Sequence, residues 1–270
     1  MQRSALARYV ADEQRTSAMN DLPQSVSKLV EVLARLPGAV AVVLGGSRAL
    51  GSNDLGSDWD LGLYYRGSVD LTALAVHGVV YPPGSWGRVM NGGAWLRSEG
   101  EKVDVLLRDL DVVEHWTRRA QNGEFERDAL LGYLAGIPTY TLSAELASCR
   151  RLWGDIPAAP FPPKLVVIAP PIWRFCRSLS LDYARMHARR GNFAGATGQA
   201  AAAVMEEAHA ILCERSQWIC NEKRLIETAG LAHLHALFAQ MPQQSAGLLQ
   251  WVDLVADQLG VPNGEIMPWK

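Results

Sequence analysis

Apolar residues recur along this chain with two different periods. Residues 5–15 fit a short helix. Val26, Leu29, Val30, Val32, Leu33 and Leu36 then fall three or four apart, predicting a helix that Pro37-Gly38 ends. The pattern next becomes strand-like. "AVAVVLGG" (39–46) is a continuous apolar run ending in glycines, and "WDLGLYYR" (59–66) alternates. In that second strand Trp59, Leu61 and Leu63 point to one face, Asp58 and Asp60 to the other. "AWLRSEGEKVDVLLRDL" predicts a hairpin with strands at 93–97 and 102–108 and a turn at 98–100. "LDVVEHWTRRAQNG" reads as a helix, and "IPTYTLSAELASCRRLWG" as a hairpin arm or a helix.

Five prolines or glycines in "GDIPAAPFPPK" (154–164) mark a linker. Beyond it the periodicity is helical. One stripe is Ile172, Phe175, Cys176, Leu179, Tyr183 and Met186. A second is Ala201, Val204, Met205, Ala208, Ile211 and Leu212, and a third is Leu248, Val252, Val255 and Leu259. "RLIETAGLAHLHALFAQ" predicts one more helix between the last two. The expected fold is therefore α/β (α+β): a mixed domain over 1–155, then an all-helical bundle over 165–270.

Composition narrows the function classes. With 270 residues, 49% of them hydrophobic and 20% charged, the chain suits one large or two smaller globular domains. A formal net charge of −2 gives no basic excess for a long nucleic acid or an anionic membrane. No apolar run is long enough to span a bilayer, and the first twenty residues lack the continuous apolar core of a secretory signal. Four cysteines without a CxxC pair fit reduced thiols rather than a zinc site. A cytoplasmic location is the expectation.

The acidic pair carries the chemistry. Asp58 and Asp60 share one strand face, and two like charges there require cationic partners. Hard cations such as Mg²⁺ take carboxylate oxygens together with substrate phosphates. Asp104, between two valines on the later hairpin strand, can supply a third carboxylate. Gly45 and Gly46 let backbone approach a phosphate closely, Ser47 adds a hydroxyl at an apparent helix start, and Arg48 adds charge. Neither a Walker loop nor GxGxxG is present.

Gly46-Ser47, ten residues, Asp58-Trp59-Asp60 and then Asp104 resemble the signature of the nucleotidyltransferase superfamily that includes DNA polymerase β. The stretches 45–65 and 92–111 look most like the small bacterial aminoglycoside and lincosamide nucleotidyltransferases, which carry a C-terminal helical domain. The resemblance implies a small mixed sheet and transfer of a nucleoside monophosphate, AMP being the expected group, from ATP or another NTP to a hydroxyl of a small acceptor. It implies two Mg²⁺ ions on Asp58, Asp60 and Asp104, with Asp104 as third ligand or base. Gly46 and Ser47 would hold the β and γ phosphates, with Arg48 assisting. Two other functions compete: adenylylation of a partner protein, as by antitoxin-type members, and nucleotide binding without turnover.

Other residues read less sharply. Glu206 is the candidate acceptor ligand in the helical domain, and Glu207, Glu99 and Glu101 could face a cationic acceptor. Asp182 and Tyr183 could line a cleft, although Tyr183 falls on the apolar stripe. His187 and His209 read as surface or capped, and His233 and His235 as pointing apart. Trp86 and Trp95 could border the site, while Asp54 reads as turn chemistry.

Overall fold

The computed structural model describes residues 21–51 and 56–261; the predicted helix at 5–15 and Asp54 lie outside them. The chain divides into two compact units. One runs to Thr117 and includes Leu142–Pro160; the other comprises Arg118–Thr141 and the chain from Phe161 onward. Residues 118–141 thus group with the helices although they fall within 1–155. Ala120, Ala135 and Tyr140 pack in one cluster with Leu165, Ala169 and Trp173.

The first unit is built on α1 (Gln24–Ala34), β1 (Ala39–Leu44), β2 (Trp59–Tyr65), β3 (Gly78–Tyr81), β4 (Gly92–Ser98), β5 (Glu101–Asp109), the part of α2 (Leu110–Gln121) up to Thr117, α3 (Thr141–Ser148) from Leu142 and β6 (Arg150–Gly154). The strands form a six-stranded mixed sheet in the order β3-β4-β5-β2-β1-β6. Only the β2–β5 pair is parallel. Alternation sorts the faces. Val26, Leu29 and Leu33 of α1 share one core with Trp59, Leu61, Leu63, Val103, Val105, Ala94 and Leu96. The opposite face therefore carries Asp60 and Gly62 of β2, Asp104 of β5, and Gly93 and Trp95 of β4. The short strand β3, which the sequence pattern missed, pairs with β4 at the edge.

Arg108, on that opposite face of β5, is 1% exposed. Its guanidinium grips Glu145 of α3 with two bonds, Nε–Oε2 at 2.6 Å and Nη2–Oε1 at 2.7 Å. Nη1 donates to the carbonyls of Met90 and Leu107 at 2.8 and 2.9 Å.

The second unit rests on α4 (Pro163–Arg189) and α5 (Phe193–Glu214), joined by a tight turn at Gly191-Asn192, with α6 (Leu248–Gln258). The expected stripe on α4 is corrected. Ile172, Phe175 and Tyr183 are exposed, and the buried residues include Leu165, Ala169, Trp173, Leu181, Ala184, Arg185 and Ala188. Alanine and arginine line this interface because α5 presents Ala196, Ala200, Ala203 and Ala208, and small side chains let helices approach closely. The single helix predicted between α5 and α6 is also corrected. It is two short helices, Leu225–Ala229 and Leu234–Ala239, divided where Gly230 turns left-handed at φ 84°.

His209 is fully buried in this unit, not at the surface as predicted. It stacks on Trp173 with centroids 4.3 Å apart and planes 10° apart. Its Nδ1 faces the Tyr140 hydroxyl at 3.4 Å, and its Nε2 has no hydrogen-bond partner among the described residues. Burial, then the nearby Arg127 charge, pushes its pKa down to about 3. A histidine depressed in the folded state leaves extra protons to the unfolded chain, so its contribution is complete above about pH 6.5 and is lost as pH falls toward 3. Between pH 7 and pH 5 the loss is about 2 kcal/mol. Glu206, raised by burial, titrates with the opposite sign but is common to wild type and variant. Urea midpoints should therefore fall more steeply from pH 7 to pH 5 for wild type than for His209→Gln. Parallel pH dependences would refute this.

Candidate active site

The sheet places the second and third predicted carboxylates side by side. Asp60 of β2 and Asp104 of β5 are direct partners in the parallel ladder. Strands about 4.8 Å apart thus set both side chains adjacent on one face. Asp58 precedes β2 by one residue, and its carboxylate lies 3.8 Å from Lys102 Nζ. Lys102 sits two positions before Asp104. Sequence reasoning did not single it out, although the alternation of β5 puts it on this face.

The glycine turn meets the same carboxylates. Gly45 N–H donates to the Asp60 carbonyl at 2.7 Å, which fastens the end of β1 beside β2. Gly46 has φ 62°, and a Cβ there would stand 1.8 Å from Asp60 Oδ2. Only glycine allows this contact, for steric and for backbone reasons. Gly46–Ala49 form a single helical turn, too short to build a long helix dipole. Gly46→Val should displace the Asp60 carboxylate. A misplacement of about 1 Å costs roughly 10²-fold in rate, and turnover assays should find a loss of that size. Turnover within a factor of two of wild type would show that the contact is dispensable.

Arg48 has a structural task. Its Nε and Nη2 donate to the Ser57 carbonyl at 3.1 and 2.6 Å, and Nε also reaches the Asp58 carbonyl at 3.2 Å. The guanidinium lies 4.0 Å from the Trp59 ring centroid, while Trp59 Nε1 donates to Glu101 at 2.9 Å. Arg48 thus holds the segment that delivers Asp58 and Asp60 to the sheet.

The helical-unit acids are engaged elsewhere. Glu206 is buried, bonded to Arg127 Nη1 at 3.1 Å and Ser180 Oγ at 2.8 Å. Glu207 is buried against Arg174 and Arg177. Both are buried members of ion pairs within their unit. Glu99 pairs with exposed Lys28, Asp182 with Arg185 and His235 with Glu227.

Among the described residues, no three His, Cys, Asp or Glu side chains gather as a self-sufficient metal cage. The donor set is two adjacent hard carboxylates with a third close by in sequence. Mg²⁺ is commonly held by one or two carboxylates with phosphates and waters completing its shell. The residues present fit an ion held in that way.

Beside Asp104 lies an aromatic ledge. Trp95 is the direct partner of Asp104 across β4–β5 and is 53% exposed. Its ring centroid lies 4.8 Å from Tyr81 and 6.0 Å from Trp86. A Cβ on Gly93 would meet the Trp86 ring at 2.5 Å, so that glycine makes room for the indole on the carboxylate face.

No protein-family model matches the sequence, and no curated protein does. Among solved structures, the chain is similar to a nucleotidyltransferase-like protein from Exiguobacterium sibiricum. The TM-score is 0.44 at 14% identity, over 88% of this chain and 72% of that one. No helix among the described residues is long and apolar enough to cross a membrane.

Proposed function

We propose that this protein is a nucleotidyltransferase of the DNA polymerase β type. It would move a nucleoside monophosphate, AMP in the first instance, from a triphosphate to a hydroxyl of a small molecule. One observation carries the reading: Asp60 and Asp104 are in register on one sheet face, with the Asp60 carboxylate against Gly46 of the glycine–serine turn.

In this reading Gly46 and Ser47 bind the β and γ phosphates through backbone N–H groups and a hydroxyl. Asp58, Asp60 and Asp104 would hold Mg²⁺, which would neutralise charge on the triphosphate. The acceptor oxygen bonds to the α-phosphorus as the bond to the bridging oxygen breaks, and that electron pair leaves with pyrophosphate. The hydroxyl proton would pass to a carboxylate, Asp104 in this reading, and then to water. Positioning and charge neutralisation supply most of the rate, as in phosphoryl transfer generally.

An aminoglycoside-like compound is the first acceptor to try, since amino sugars combine hydroxyls with positive charge beside an acidic face. The protein is incubated with each nucleoside triphosphate, Mg²⁺ and an aminoglycoside panel, and pyrophosphate is measured. Release that needs both Mg²⁺ and acceptor supports the reading. Transfer of labelled AMP to a protein, with no small-molecule product, favours the protein-modifying alternative. Metal-dependent nucleotide binding without pyrophosphate release with any acceptor favours a binding module.

A further inference from the structure

We infer that the ledge of Trp95, Trp86 and Tyr81 is the acceptor subsite, and that it takes a hydroxylated ring compound by stacking the ring face on Trp95. The inference rests on the nucleotidyltransferase reading and adds the class of acceptor and the residues that select it.

In-line displacement sets the geometry. The attacking and leaving oxygens lie on opposite sides of the α-phosphorus. The sheet order places β1, which leads into the Gly46–Ser47 turn, on one side of the β2–β5 carboxylates and β4 on the other. Pyrophosphate leaves toward the glycine turn, so the acceptor approaches from β4. The side chain next to Asp104 in that direction is Trp95, its register partner. A ring stacked there lies about one strand spacing from Asp104, so a hydroxyl on its near edge can come within hydrogen-bond reach of the carboxylate that takes its proton.

The ledge has features that fit this task. Trp95 is half exposed, yet its edge is held by Tyr81, whose ring plane lies at 68° to it. Trp86 sits over Gly93, where any other residue would strike its indole. Val79, directly across from Trp95 on β3, is also exposed and extends the apolar surface. Aromatic faces of this kind bind the C–H face of a sugar ring or a cationic amine and offer little to an acyclic polyol.

Two readouts test it, one of which needs no turnover. Kanamycin and methyl α-glucoside are the ring probes, and sorbitol is the acyclic control. Titrated into wild type with Mg²⁺ and a non-hydrolysable triphosphate, at least one ring probe should perturb tryptophan emission, and Trp95→Ala should remove that change. In pyrophosphate assays Trp95→Ala should raise the KM for the ring acceptor about tenfold more than the KM for ATP. Trp95→Phe should recover most of the loss. Ring probes that perturb emission no more than sorbitol, or a Trp95→Ala variant whose two KM values move together, would overturn the subsite. If no acceptor yields pyrophosphate, the transferase reading fails by itself, and the emission titration still decides whether the ledge binds rings.

Discussion

Asp60→Asn is expected to cut pyrophosphate release by about 10²–10³-fold, the scale of losing one electrostatic contact to developing charge in a transition state. Asparagine keeps the shape that packs against Gly46, so the change removes charge without opening space. Asp104→Asn should cost a similar factor, because the two carboxylates are register partners serving one reaction. Residues that act as a unit are non-additive, so the double variant should be little worse than either single one. Circular dichroism and melting temperature check that both variants fold. A folded Asp60→Asn variant with wild-type turnover would remove Asp60 from the chemistry.

The second large effect is on stability. Glu145→Ala should destabilise the sheet unit by about 3–5 kcal/mol, the usual cost of stranding one partner of a buried ion pair. Arg108 would keep its bonds to Met90 and Leu107 carbonyls but lose both bonds to the carboxylate. Arg108→Met combined with Glu145→Leu should cost less than Glu145→Ala alone, because no buried charge is left unmatched. Urea unfolding of the three proteins decides this. A single variant within 1 kcal/mol of wild type, about a fivefold change in the folding equilibrium, would show that solvent reaches Arg108.

These two predictions differ in how far the sequence foretold them. The strands bearing Asp60 and Asp104 were legible because one face of each is strictly apolar, and Trp59, Leu61, Val103 and Val105 give a clean period of two. The Gly46 contact was legible in kind, since glycine before a polar turn signals close approach, but its partner Asp60 emerges only from strand pairing. Arg108 was not legible. In "VLLRDL" it looks like the exposed end of a strand, and its partner comes from a helix 37 residues away.

The helical unit hid more. A periodic apolar stripe on α4 predicts burial of Ile172, Phe175 and Tyr183, yet the helix turns a different face inward, with Leu165, Trp173 and Leu181 beside its alanines and Arg185. Close packing against an alanine-rich partner can outweigh side-chain hydrophobicity, and ion pairs such as Arg185–Asp253 at 2.9 Å make the arginine tolerable there. Glu206 and Glu207 stand beside alanines in sequence, in "VMEEAHA". Their arginine partners lie on α4 and near residue 127, far away in sequence. Trp95 follows two glycines in sequence, but only the β4–β5 register sets it next to Asp104.

The central claim concerns which phosphorus is attacked, and labelled triphosphate tests that most directly. The protein is incubated with Mg²⁺ and an acceptor mixture, with ATP labelled at the α-phosphorus in one reaction and at the γ-phosphorus in another. The account predicts α label in the acceptor product and γ label in pyrophosphate, with both signals lost in Asp60→Asn. γ label in the product, or as free orthophosphate, would contradict it.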